Sequence, residues 1–213
     1  MNLCEVSVSI SGSQVSVSVN ERANSPTYNI SSVWPTYTGR GILVAVVDDG
    51  VDRNHPELSS NYNATASYDY VDNDEIPVPS GKTVSGHGNN CAGVIAGAAN
   101  NSLCGVGLAY NAKIAGEGGW VVEGPGVLTS QALRIGTEKG RRGLGAIYTF
   151  AAGNGGFFRD SCAYNGYVNS IYTIAINGLN EDDSNPTYAE NCPGVMATAY
   201  SRDTLKGLGK IVS

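Results

Sequence analysis

Charge is scarce in this chain of 213 residues: Asp, Glu, Lys and Arg make up 15% of it, against about a quarter in ordinary globular proteins. The basic side is the thinner one, with 13 Lys plus Arg against 19 Asp plus Glu, a net charge of 13 − 19 = −6. A chain without a basic footprint cannot grip phosphates, so neither nucleic acid nor an anionic membrane surface is an expected partner, whereas cationic peptides and metal cations are. Long apolar runs are missing too. The longest strongly apolar stretch, Ile42–Val47, falls far short of the roughly 20 residues that cross a bilayer, and no transmembrane segment is expected. The opening MNLCEVSVSISGSQ has no basic n-region and no continuous apolar h-region, so no signal peptide is expected in this chain. Histidine is limited to His55 and His87, which confines imidazole chemistry to two positions.

Glycine, by contrast, is abundant at 28 residues, where a chain this long would ordinarily carry about 15. With 41% apolar residues the chain can bury a core, and its low charge does not match the composition of disordered proteins. Five cysteines, at positions 4, 91, 104, 162 and 192, are an odd number, so at least one thiol is unpaired or pairs outside the chain. The sequons at Asn29, Asn63 and Asn100 are compatible with a secretory protein.

Residues 5–19 alternate Val or Ile with Ser, the period-2 signature of strands with one apolar face, and Gly12-Ser13 can turn a hairpin. A Pro- and Asn-bearing linker follows, and the domain boundary is placed near residue 32, giving a strand-rich segment over 1–32 and a larger domain over 33–213. Ile42–Val47 lacks polar alternation, as expected of a strand covered on both faces in a parallel sheet. Gly86–Asn101 reads as a helix buried nearly all round, Ala112–Ala115 as a short strand, and Thr129 as the cap of a helix running to about Lys139. Ala146–Ala152 and Ile171–Ile176 read as two further buried strands. Strands alternating with helices predict an α/β fold with a mainly parallel sheet and helices on both faces.

Three features carry chemistry. Asp48 stands at the carboxyl end of an apolar strand, where open parallel sheets place ligands. His87 lies between glycines at a helix start, accessible to a substrate, and a carboxylate on its Nδ1 would fix the tautomer and stabilise the imidazolium. Asn154, in Gly153-Asn154-Gly155-Gly156 after a buried strand, can present an amide to an oxyanion. Taken singly, Asp48-Asp49-Gly50 is also an ordinary turn and His87 an ordinary helix-start residue; it is their order along the chain that is informative.

Strand-Asp, then Gly-His-Gly before a helix, then strand-Gly-Asn-Gly-Gly is the order of the subtilisin-like serine proteases. Val47–Leu58, Asn100–Lys113, Gly143-Leu144-Gly145, Ser161-Cys162 and Asn169–Ile174 resemble the kexin and furin branch, the proprotein convertases, over about residues 33–213. The resemblance implies that Asp48 orients the base, His87 is the general base and Asn154 furnishes the oxyanion-hole amide. It implies polypeptide substrates with basic residues, contacted by Asp49 and Glu123, while Asn165 stands where the family keeps a carboxylate for the residue before the cleaved bond; an amide there weakens pairing with Arg. It implies calcium at Glu57 and Asn101 with the carbonyls of Ala98, Leu103 and Gly105, and a second site with Asp160 and Glu190, oxygen donors suited to a hard cation. It implies a Cys162–Cys192 disulfide and a location in the secretory pathway or outside the cell.

Two departures accompany it. The family's nucleophilic serine lies in a Gly-Thr-Ser-Ala-type motif, which does not occur in these 213 residues, and one internal strand–helix unit expected between Ala115 and Gly124 is missing. The expectation is a partial subtilisin-like endopeptidase domain that is inactive alone; the alternative is a non-catalytic pseudoenzyme that binds calcium or substrate.

Overall fold

The computed structural model describes residues 6–11, 14–19, 30–77, 86–103, 105–118, 124–180 and 182–201. The chain divides into two compact units, Met1–Val121 with Val212–Ser213, and Val122–Ile211.

In the first unit, β1 (Val6–Ser11) and β2 (Gln14–Val19) pair antiparallel with Val6 opposite Val19, Val8 opposite Val17 and Ile10 opposite Val15. The register sets Val or Ile opposite Val and, apart from Ser11 opposite Gln14, Ser opposite Ser, in keeping with the alternation; the Gly12-Ser13 turn lies outside the described residues. β3 (Leu43–Asp48), β4 (Tyr68–Asp69) and β5 (Lys113–Gly118) form a parallel sheet in the order β3-β5-β4, with Asp48 opposite Gly118. Helix α1 (His87–Ala96) packs on β3 and β5. Its buried positions Gly88, Ala92 and Ala96 recur every fourth residue, one stripe of small side chains that lets the helix lie close to the sheet. Val46, Val51, Leu58, Ala92, Ala96, Ala112 and Ile114 make the core.

The second unit holds α2 (Val127–Gly143) and a parallel sheet of β6 (Thr149–Ala151), β7 (Ile174–Leu179) and β8 (Val195–Tyr200), in the order β6-β7-β8. Its small core is Cys162, Val168 and Ala175, against which Phe150 and Cys192 pack. Cys162 and Cys192 form a disulfide with their Cα atoms 5.0 Å apart. Among the described residues no helix is long and apolar enough to cross a membrane.

Several local expectations need correction. Of the two further strands expected as buried, β6 spans only Thr149–Ala151 and is largely exposed, and β7 begins at Ile174, leaving Ile171 outside it and 88% exposed. Strand β3 is covered on one face only: Val46 is buried, but Leu43 and Val47 are 49% and 70% exposed, because α1 packs on one side. Helix α1 stops at Ala96, where Gly97 takes a non-helical conformation (φ −53°, ψ 136°), and it is buried along a stripe rather than all round. Thr129 lies inside α2; the cap is Gly126, with no side-chain bond. Strand β8 has no counterpart in the expected elements, since its Met-Ala-Thr-Ala centre is weak in β-formers and mostly exposed.

Candidate active site

Strand β3 ends by aiming Asp48 to the side on which α1 lies, since Asp48 shares the parity of Val44 and Val46. Helix α1 begins with His87, and its Nδ1 sits 2.7 Å from Asp48 Oδ2 and 2.9 Å from Oδ1. The histidine side chain is 66% exposed and the aspartate 21%. A carboxylate on Nδ1 holds the proton there and makes Nε2 the basic nitrogen, the tautomer a general base requires.

What locks the two elements together is the neighbouring carboxylate. Helix α1 has Gly86 at its cap position and therefore no capping side chain of its own. Asp49 fills that role from another element: its Oδ2 accepts from the His87 N–H at 3.2 Å and its Oδ1 from the Gly88 N–H at 2.7 Å. A negative charge here also meets the positive end of the helix dipole. The approach is close enough that a Cβ on Gly88 would lie 2.2 Å from the Gly50 carbonyl oxygen. Asn89 Oδ1 adds a bond from the Asp52 N–H at 2.7 Å.

One turn along α1, Cys91 places its Sγ 3.7 Å from His87 Nδ1 and 3.9 Å from Nε2. Asp48, His87 and Cys91 bring their donor atoms within 4.8 Å of one another, and no other such trio of His, Cys, Asp or Glu occurs among the described residues. Burial first, and then the charges of Asp48 and Asp49, push the Cys91 thiol above its ordinary range. It is held protonated at neutral pH and is not an activated nucleophile.

Elsewhere in the first unit, Glu57 and Asn101 come together: Asn101 Nδ2 donates to Glu57 Oε2 at 3.1 Å, while Asn101 Oδ1 accepts from the Leu103 N–H at 3.0 Å. The Ala98 N–H donates to the Glu57 carbonyl at 2.9 Å, and a Cβ on Gly105 would stand 4.0 Å from Glu57 Oε1. Among the described residues the carbonyls of Ala98, Leu103 and Gly105 accept no hydrogen bond. A carboxylate, an amide and three uncommitted carbonyls on one loop are a donor set that fits a hard cation.

In the second unit, Asn154 follows β6 and Gly153, whose φ of +119° requires glycine. Its side chain is exposed and takes no hydrogen bond among the described residues. Glu190 Oε1 accepts from the Gly155 N–H at 2.8 Å, and a Cβ on Gly155 would meet both Glu190 Oε1 and Asp160 Cβ within 3 Å. Asp160 and Glu190 thus flank one glycine turn, with no third carboxylate grouped with them among the described residues. Asn165 uses its Oδ1 to accept from the Tyr167 and Val168 N–H groups at 2.9 and 3.1 Å, a turn-closing role. Glu123 lies outside the described residues.

The pairing of Asp48 with His87 was legible from a strand end and a glycine-flanked helix start. The Asp49 clamp was not, because Asp-Asp-Gly gives no sign of which distant amides the second carboxylate reaches; the empty cap position before His87 was the available signal.

Comparison with known proteins gives a consistent picture. The subtilase family matches residues 39–134. Among curated proteins, the chain is 40% identical over 210 residues to proprotein convertase subtilisin/kexin type 6 of Rattus norvegicus, covering 81% of this chain and 22% of that protein. Neuroendocrine convertase 2 of Homo sapiens is 38% identical over 211 residues, with 81% and 33% covered, and furin of Bos taurus 39% over 210, with 81% and 26%. The chain thus spans a third or less of these relatives. Solved structures agree in fold: a serine protease of Aeromonas sobria (TM-score 0.65, 21% identity, 76% of this chain and 36% of that one) and a protease from Pseudoalteromonas arctica (TM-score 0.66, 19% identity, 84% and 68%).

Proposed function

The chain belongs to the subtilase family, with its similarity in the kexin and furin branch, and from that premise we propose that it is part of a proprotein-processing serine endopeptidase to which it supplies the base and its orienting carboxylate. The observation that carries this reading is the 2.7 Å contact between His87 Nδ1 and Asp48 Oδ2 at the junction of β3 and α1. In the reaction, His87 Nε2 takes the proton of a serine hydroxyl as its oxygen attacks the scissile carbonyl, and later returns a proton to the leaving amine. Asp48 holds the ring in register and stabilises the imidazolium. Asn154 donates its amide to the oxyanion of the tetrahedral intermediate. The serine is not assigned to any of these 213 residues, so the polypeptide alone does not complete an acyl-transfer cycle.

Substrates are polypeptides with basic residues, met by Asp49 and Glu123, with weakened preference where Asn165 offers an amide instead of a carboxylate. The peptidase region comprises residues 33–213, and the strand-rich segment over 1–32 precedes it in the chain. Calcium, when bound, supplies structural cross-linking through Glu57, Asn101 and the carbonyls of Ala98, Leu103 and Gly105, with a second set at Asp160 and Glu190; no step of hydrolysis passes through it. The Cys162–Cys192 disulfide supports a secretory or extracellular setting.

The test is hydrolysis of Arg-Arg fluorogenic peptides together with fluorophosphonate labelling. The 213-residue polypeptide is expected to show neither. Joined to the serine-bearing segment of bovine furin it is expected to show both, each abolished by His87→Ala. Hydrolysis that survives His87→Ala would overturn the assignment of the base.

A further inference from the structure

The chain contains a single adjacent pair of basic residues, Arg141-Arg142, and the fold places it where α2 breaks. Regular helix ends at Lys139; Gly140 turns extended (φ −59°, ψ 162°), and Arg141 (φ 50°, ψ 40°) and Arg142 (φ 60°, ψ 38°) are both left-handed. Gly143 follows at φ 93°. Two consecutive residues with a Cβ in the left-handed region are strained, since each sets its Cβ against the following carbonyl. Arg141, Arg142, Gly143 and Leu144 are all exposed. The Arg142 guanidinium has no hydrogen bond or ion pair among the described residues, and Arg141 has only a 3.5 Å contact from Nη1 to the Gly145 carbonyl.

We infer that Arg142–Gly143 is a processing site for an endopeptidase that selects paired basic residues. Such an enzyme binds its substrate extended, in pockets whose carboxylates pair with two neighbouring cations. Beyond the helix's own ladder, extending this turn gives up the Gly145 N–H bond to the Gly140 carbonyl at 2.9 Å and the Leu144 N–H, which the Arg141 carbonyl, at a long 3.4 Å, shares with the Gly140 carbonyl. In exchange it releases two consecutive residues from disfavoured backbone geometry, where opening at Arg159, the other described left-handed arginine, would release one, so local opening is favoured here. Lys139, exposed and three residues before Arg142, adds a third cation. The other described basic residues stand singly, and several are occupied: Lys113 Nζ donates to the Ser60 carbonyl at 2.7 Å and Arg134 pairs with Glu138.

Hydrolysis adds one water across the Arg142–Gly143 bond, leaving a carboxylate on Arg142 and an ammonium on Gly143. The cut has a structural consequence. Helix α2 buries only Leu133 and is held to the segment after the break, where the Ala146 N–H donates to the Gly136 carbonyl at 2.8 Å and Tyr148 packs against Gly136. After cleavage that hold is no longer covalent, whereas β6, β7 and β8 stay together on the carboxyl-terminal piece with the disulfide intact. The inference does not depend on any hydrolytic activity of this chain, because the protease acts in trans.

The test digests the intact, oxidised 213-residue chain with a soluble kexin-type convertase and, separately, with limiting trypsin, following each bond by mass spectrometry. The convertase is expected to yield residues 1–142 and 143–213 as its products. Trypsin is expected to cut at Arg141 and Arg142 at least ten-fold faster than at Arg40, Arg53 or Arg159. Arg142→Gln should abolish the convertase cut. Arg141→Gly, which removes one strained side-chain-bearing residue but keeps Arg142, should slow tryptic cleavage at 142 several-fold. A chain that resists the convertase, while a peptide of residues 136–148 is cut by it, would overturn the inference, as would tryptic cleavage at Arg142 no faster than at Arg40, Arg53 and Arg159.

Discussion

The side chain that most constrains the candidate site is one that performs no proton transfer. Asp49 ties the first two amides of α1 to the end of β3, and Gly88 is the only residue type that fits beneath the Gly50 carbonyl. Gly88→Ala forces backbone against a methyl group and should cost about 1 to 3 kcal/mol, while Asp49→Asn should cost about 1 kcal/mol through the weakened cap. Thermal unfolding followed by far-UV CD measures both, and Gly88→Ala should be the more damaging. At Cys91 the raised thiol value predicts slow alkylation: site-resolved mass spectrometry with iodoacetamide at pH 8 should find Cys91 reacting more slowly than free cysteine, and Asp48→Asn should speed it. Asp48 and His87 were readable in the sequence because each sits at a boundary between hydrophobic pattern and glycine. Asn165 was not readable as a turn-closing residue, since its side chain is spent on amides two and three positions ahead, a local geometry that many polar residues would serve equally well.

Among the elements, β5 carries a carboxylate that its surroundings oppose. Burial pushes the Glu117 carboxyl above its ordinary value. The folded chain therefore keeps this proton to higher pH than the unfolded chain does. Stability from this residue is fully present below the ordinary carboxylate value near pH 4 and is lost as pH rises through the raised one. Glu117→Gln should accordingly stabilise the chain at pH 7 and have little effect near pH 4, a difference that urea denaturation at the two pH values reads directly. The disulfide offers a second element-level test. Replacing Cys162 and Cys192 together by Ser opens a loop of 30 residues and should cost roughly 3 to 4 kcal/mol by the chain-entropy relation, seen as a lower urea midpoint. The parallel sheets and the hairpin were legible from hydrophobic period, but burial was not. Leu43–Val47 reads the same whether one face or both are covered, and only the placement of α1 decides it.

For the whole molecule, the balance is between small, tight cores and much bare apolar surface. Phe158, Tyr164 and Ile171 are each more than 85% exposed, and Val127, Leu128 and Leu144 75% or more. Surface of this kind marks binding or aggregation, so the isolated chain should bind ANS strongly. Calcium through Glu57 and Asn101 should raise its Tm by mass action. Millimolar calcium with and without Glu57→Gln, scanned by calorimetry, checks this: a shift that persists in the variant would place the ion elsewhere. The fold class was legible at this scale because glycine-punctuated strands and helices alternate; the division at Val121 and Val122 was not, since no composition shift marks it. The close approach of Gly88 to Gly50, repeated where a Cβ on Gly107 would lie 2.3 Å from the Gly97 nitrogen, has a volumetric meaning. Hydrostatic pressure unfolds proteins by eliminating internal voids, and backbones in direct contact leave none. Compression should therefore leave the junction of β3 and α1 nearly unchanged, with the His87 imidazole resonances shifting linearly and little under pressure. The yielding should come instead from regions where large side chains meet imperfectly, making this junction the last part of its unit to lose its shape.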